Sequence, residues 1–369
     1  MAKIDNTAKF IGAYTGFAVG DAFGYPCRDF TYVSLCDRFD KHGCTELAVS
    51  RKTNEALFSD ATQLMLFTTE GLIWADKESR AGKRQEAMTD YVFYAYQWWL
   101  YSQTKTIASK DYSFIFYPEK GGYKSKLLKI RSMYKERYAG RVNVDALMQC
   151  KRLDYGKFGS AASISASAYA NDDNGGLKRV LPAGLFFNFD AEFAFQAGRD
   201  FAAITHAAYN GCVSAGCYAA AVTFLMNGTS MDEAVVNALE VTKSQTKAAR
   251  TQNTDAVVNA VEYALELIDD KSVSPLDGVR ELGKGFAAEE ALAISFYCAM
   301  MFQRNYSFAV QLAANHDGAS DVCAALTGGL VGAHVGVAGI PPKWRKKLQC
   351  GSTVESMGTA LLNITRFND

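Results

Sequence analysis

The sequence is short of proline (6 in 369 residues) and of histidine (4), and it has no surplus charge, 39 basic residues standing against 39 acidic ones. Few prolines leave room for long uninterrupted helices. A net charge of zero removes any overall attraction to nucleic acid or to an anionic membrane, although a local basic patch is compatible with it. No run of eighteen apolar residues occurs, so no transmembrane helix and no membrane insertion are expected. The opening MAKIDNTAKF lacks the apolar core of a signal peptide, which predicts a soluble, cytosolic protein. Delivery to another cell by a machine that reads a different signal stays open. Nine cysteines run from Cys27 to Cys350, and only Cys212 and Cys217 are close together. Without a second close pair, neither a disulfide framework nor a zinc site is expected, and the thiols read as reduced.

Strand-like alternation is also scarce. Helical spacing is common: apolar residues recur at three- and four-residue steps over 62–75, 86–101, 233–248, 255–268 and 288–303. Thr229 and Ser230 offer an N-cap ahead of Asp232 and Glu233. The stretch Gly339-Ile340-Pro341-Pro342-Lys343-Trp344 ends one helix and starts a short one. The expectation is an all-α chain, one domain over 1–369, with an irregular Lys/Arg/Tyr-rich segment at about 102–160. Lys124, Lys126, Lys129, Arg131, Lys135, Arg137 and Arg141 in that segment fit either a solvated helix face or a surface turned toward a partner.

Five segments carry chemistry, each with a structural alternative. Gly12, Gly16, Gly20 and Gly24 form one helical stripe that permits close packing, with Asp21 inside it and Arg28-Asp29 just beyond. Ser59-Asp60-Ala61-Thr62 reads as a helix N-cap or as part of a site. Asn174-Gly175-Gly176 is a turn, or a loop whose backbone N–H groups approach an anion, with Arg179 nearby. His206 sits in an alanine-rich helix, as a core histidine or a cleft residue. Asn315-His316-Asp317-Gly318-Ala319-Ser320-Asp321 gathers polar groups ahead of an apolar helix, to cap it or to hold an ion.

Taken in order, these segments resemble the ADP-ribosylglycohydrolase (ADP-ribosyl-acceptor hydrolase) family. Its G-x-x-x-G-x-x-x-G-D-A-x-G opening matches Gly12 to Gly24, and its T-D-D-T string matches Ser59 to Thr62. Its N-G-[SGA]-x-M-R-V-x-P segment matches Asn174 to Pro182, and a T-H pair matches Thr205-His206. Its A-N-x-G-G-D-[ST]-D-[ST] stretch matches the segment from Ala314 to Val322. The resemblance covers nearly the whole chain except about 102–160. It implies an orthogonal helical bundle around a central cleft, a paired magnesium or manganese centre, and hydrolysis of the bond between ADP-ribose C1″ and an acceptor, often arginine.

The departures fall on the carboxylates. Ala61, Ala319 and Val322 stand where the family carries two carboxylates and a hydroxyl, and Asp29 is the best match to a family glutamate. Asp29, Asp60 and Asp321 offer three negative charges against the four positive charges of two divalent ions. Magnesium is content with one or two carboxylates plus water, so the expectation is one Mg2+ or none, held by Asp60 and Asp321. On this reading Asp60 or Asp321 activates water and Asp29 contacts the ribose or the leaving group. Asn174, Gly175 and Gly176 cradle the diphosphate, His206 lines the cleft, and Ser59, Ser320 and Asp317 belong to the binding surface. The expected function is removal of ADP-ribose from a modified protein, with a cognate ADP-ribosyltransferase implied. The alternative is an inactive relative that binds ADP-ribose or a protein, a toxin included.

Overall fold

A computed structural model describes residues 4–82, 87–107, 113, 115–117, 122–137, 141–149, 172–247 and 256–366. They form sixteen α-helices and two isolated bridges, Ala56 with Leu348 and Asp173 with Ala287; no extended sheet occurs among the described residues. In chain order, α1 is Asn6–Gly24, α2 Tyr32–Arg38, α3 Asp60–Arg80, α4 Met88–Thr104 and α5 Arg141–Gln149. After them come α6 Leu181–Phe186, α7 Ala191–Ala203, α8 Tyr209–Met226, α9 Met231–Thr246 and α10 Ala256–Asp269. The series ends with α11 Pro275–Glu281, α12 Ala288–Met301, α13 Tyr306–Ala314, α14 Ser320–Val335, α15 Pro342–Lys347 and α16 Gly351–Ile364. The all-α expectation and the five helices read from periodicity agree with this order. Among the described residues, no helix is long and apolar enough to cross a membrane.

The glycine stripe of α1 is the centre of the bundle. From Gly12 to Gly24 every residue of α1 is buried, and so is every residue of α14 from Ser320 to Ala333. The two run antiparallel at backbone contact. A Cβ placed on Gly12, Gly16, Gly20 or Gly24 would overlap the carbonyl oxygen of Gly332, Gly328, Ala324 or Ser320 in turn. Tyr306 closes the seam by donating its hydroxyl to the Gly16 carbonyl at 2.6 Å. Because the helices are antiparallel, the end of α1 meets the beginning of α14. The turn after α1, with Arg28 and Asp29, therefore lies against Asp321.

A second tether brings α3 to the same end. Buried Asp21 accepts from the Ser59 N–H at 3.0 Å and from the Thr62 N–H and hydroxyl at 2.9 and 2.5 Å. Ser59 caps α3 by accepting from Ala61 N–H at 3.1 Å. The remaining first-turn donor, the Asp60 N–H, reaches the Arg137 carbonyl at 3.0 Å. The N-terminus of α3 is thus fully satisfied, as a buried helix end must be.

That last bond comes from the segment that the motifs leave unmatched. Of 102–160, residues 108–112, 114, 118–121, 138–140 and 150–160 lie outside the described residues, as does the Arg141 side chain. What is described at 122–137 is docked. Glu70 on α3 accepts from Ser125 Oγ at 2.5 Å and Lys126 N–H at 2.7 Å. Gln63 donates to the Ser132 and Lys135 carbonyls at 3.1 and 3.0 Å. Lys124, Lys126, Lys129, Arg131 and Lys135 are exposed, in keeping with a solvated face. Arg137 is the exception: it is buried and donates to the Phe58 carbonyl and to Gln349 Oε1 at 2.8 and 2.7 Å.

Gly20→Val should destabilise the fold by about 3 kcal/mol or more, because the added side chain meets backbone that cannot move aside. Gly351→Ala, where only ordinary contacts await the methyl group, should lose nothing. Urea unfolding of both variants checks the contrast.

Candidate functional site

A cavity of about 100 Å³ opens where these ends converge, lined by Arg28, Lys178, Asp173 and His206. Asn143, Asn174, Gly175 and Phe286 complete its wall. Its volume is below the roughly 300–1,000 Å³ usual for a small-molecule site, enough for one end of such a ligand.

Asp60 and Asp321 are both fully buried beside it, and each is held by a cation. Lys178 Nζ lies 2.8 Å from Asp60 Oδ1 and 2.7 Å from Oδ2, so one ammonium faces both oxygens. Arg28 donates to Asp321 Oδ2 at 2.8 Å, and Asp321 Oδ1 accepts from Val322 N–H at 2.9 Å. Burial pushes the Asp60 carboxyl up, and the Lys178 ammonium pulls against it. Burial alone would lower the Arg28 guanidinium, but the charge and hydrogen bond of Asp321 outweigh it, and the net shift is upward. Asp21, behind them, is pushed up to about 6, first by burial and then by the charge of Asp321.

A magnesium ion sits 2.0–2.1 Å from its oxygens. At Asp60 it would have to displace Lys178 from both. At Asp321 the oxygens are already divided between Arg28 and the helix backbone. Among the described residues, no group of three acidic, histidine or cysteine side chains is arranged to hold a metal ion. The donors present therefore do not fit the ion expected from the sequence, and no chemical step is assigned to one.

The other wall carries a polar chain. His206 Nε2 lies 2.8 Å from Asp173 Oδ1, and its Nδ1 lies 2.8 Å from Thr205 Oγ. Burial lowers the imidazole, so it is neutral at pH 7. The Thr205 hydroxyl donates to Asn143 Oδ1 at 3.1 Å, so it links the imidazole to α5. Burial would raise Asp173, but the bond from His206 takes it down to about 2. Asp173 is thus an ionised carboxylate whose side chain is 41% exposed.

Several sequence expectations change. The Gly175 N–H is spent on Asp173 Oδ1 at 2.7 Å, and Asn174 Nδ2 is spent on the Gly285 carbonyl at 2.6 Å. Those two donors brace the loop rather than cradle a diphosphate. Gly176 packs closely against Ala202 and His206. Ser59 is a cap, and Ser320 is turned toward the Cys27 and His316 carbonyls, both at 3.5 Å. Asp317 accepts from Tyr32 N–H at 2.6 Å and so anchors α2. Asp29, in left-handed backbone at φ 65°, lies 3.6 Å from Arg28 Nε, half exposed. The sequence reading passed over Arg28, Asn143, Asp173, Lys178 and Phe286. For Lys178 a signal was available, since the matched motif carries methionine at its position.

A profile of the ADP-ribosylglycohydrolase family matches residues 2–368, and the chain belongs to that family. It is similar to the ADP-ribosylhydrolase ARH3 of Danio rerio, 26% identical over 196 residues. That match takes in 47% of this chain and about half, 52%, of the relative's length. The fold is similar to a solved structure described as an ADP-ribosylglycohydrolase-related protein complex, with a TM-score of 0.61 and 20% identity over 98% of this chain and 99% of the other.

Lys178→Met keeps the apolar stem and removes the charge. It should destabilise the protein by about 3–5 kcal/mol at pH 8, since Asp60 is left buried without its ion-pair partner. A carboxyl raised in the folded state holds its proton more tightly there than in the unfolded chain. Its contribution is retained at low pH and lost as pH rises through the folded value. The deficit should therefore shrink from pH 8 to pH 5, as measured by the difference in Tm between variant and parent at each pH.

Proposed function

We propose that the protein recognises ADP-ribose attached to another protein, with Lys178 and Arg28 supplying the positive charge that the family resemblance assigns to divalent ions, and that it does not turn the bond over. The observation that carries this reading is the pair of buried contacts, Lys178 to Asp60 and Arg28 to Asp321. A general base needs a lone pair and room for water. Asp60 and Asp321 are fully buried and each is ion-paired, which leaves a water no room beside them. The ammonium and guanidinium place positive charge at the cavity wall, where ligand oxygens would meet it. An ADP-ribosyltransferase acting on the partner protein would produce the ligand.

One observation favours hydrolysis instead. Asp173 is ionised and partly exposed, and a carboxylate so placed stabilises an oxocarbenium-like centre without metal.

The test is to mix the protein with arginine-ADP-ribosylated protein, with magnesium or with chelator, and to measure both binding and release of ADP-ribose. The expected outcome is binding that chelator leaves unchanged, without release. Release that chelator does not affect and Asp173→Asn abolishes would establish the hydrolytic reading. Release that requires magnesium would overturn both.

A further inference from the structure

We infer that Asn143, supplied by the segment outside the family motifs, is a specificity-determining residue that donates a hydrogen bond from Nδ2 to an oxygen of the bound ligand. The inference rests on the binding function proposed above. Asn143 lies on α5, is fully buried, and forms part of the cavity wall.

The orientation of its amide follows from its neighbours. Arg179 NH1 donates to Asn143 Oδ1 at 2.9 Å. A guanidinium has no acceptor, so the atom facing it is the oxygen and not the nitrogen. Arg179 is itself fixed: it is buried, donates through NH2 to the Phe201 and Ala202 carbonyls at 3.1 Å and to Thr205 Oγ at 2.6 Å, and lies 4.5 Å from the Tyr96 ring centroid. The NH2 group of Asn143 is consequently held in one direction. That nitrogen is buried and has no hydrogen-bond acceptor among the described residues. A buried amide donor without a partner is costly, and asparagine is a poor choice for a site that needs only an oxygen for Arg179, which aspartate would serve with an added charge.

The remaining wall shows what completes the bond. Arg28 and Lys178 favour an oxygen-rich, anionic group, and Asp173 accepts from hydroxyls. A ribosyl phosphate presents both kinds of atom. Asn143 adds a neutral donor to that set, in a cavity with room for one end of the ligand. The residue therefore selects for a ligand whose inserted end carries an acceptor oxygen.

Asn143→Asp keeps an oxygen toward Arg179 and replaces the donor by an acceptor. Asn143→Ala removes the donor without adding charge. By titration calorimetry with ADP-ribose, both should bind roughly tenfold to a hundredfold more weakly than the parent. The Tm of Asn143→Asp should stay at or above the parental value. The same loss with ADP places the oxygen on the diphosphate, and a loss confined to ADP-ribose places it on the terminal ribose. Parental affinity in Asn143→Ala, with weakening only in the aspartate variant, would reduce the effect to charge repulsion and overturn the inference. A parent protein that binds neither ADP-ribose nor ADP-ribosylated protein would remove the binding function and this inference together.

Discussion

The structure depends on the backbone contact between α1 and α14. Four glycines on one helix face glycine, alanine and serine on the other, so the two axes come closer than larger side chains would allow. Dispersion and close packing hold such a seam, since neither helix has a polar face to turn outward. Its geometric result is chemical. An antiparallel seam joins the last turn of one helix to the first turn of the other, and it is there that Arg28 meets Asp321. Asp21, one turn back along α1, then fixes the start of α3 through Ser59 and Thr62 and so sets Asp60 beside them. A shift of one turn in the seam would part Arg28 from Asp321.

Much of this was legible in the sequence because it depends on local rules. The glycines at steps of four, the Ser59 and Ser230 caps and the helical periodicities act within a turn or two of themselves. The order of the motifs then located the cleft. What was not legible depends on contacts across the fold. Nothing local in Asn174-Gly175-Gly176 shows that its donors are taken by Gly285 and Asp173. Asp317 read as part of the binding surface because it lies in a polar cluster, yet its carboxylate anchors the backbone of Tyr32, 285 positions away. The basic segment read as a solvated face or as a surface turned toward a partner, and five of its lysines and arginines are exposed. Arg137 differs because a guanidinium can bury itself where carbonyl oxygens converge.

The unmatched segment has a larger part than its irregular composition suggests. Its 122–137 portion is seated on α3 through Glu70 and Gln63, and its Arg137 carbonyl takes the Asp60 N–H. Its α5 brings Asn143 to the cavity. A stretch outside the family motifs thereby supports one of the family's carboxylates and furnishes one wall of the site.

The exchange of charge at the two carboxylates separates two tasks that a metal ion performs together. A divalent ion attracts ligand oxygens, and it also lowers the pKa of a bound water. An ammonium or guanidinium can perform the first task through charge-assisted hydrogen bonds. Neither coordinates water, so neither performs the second. With Ala61, Ala319 and Val322 in place of the family's other ligands, the second task also has no remaining donor set among the described residues. The cations in the cleft are therefore suited to holding an ADP-ribosyl group in place. Activating water would fall to Asp173, the ionised carboxylate of the wall, whose hydrogen bonds from His206 and the Gly175 N–H lower its basicity. A carboxylate held at about 2 is well suited to balancing positive charge and poorly suited to taking a proton from water. On the proposed binding reading, that balance accounts for retention of the ligand over its cleavage.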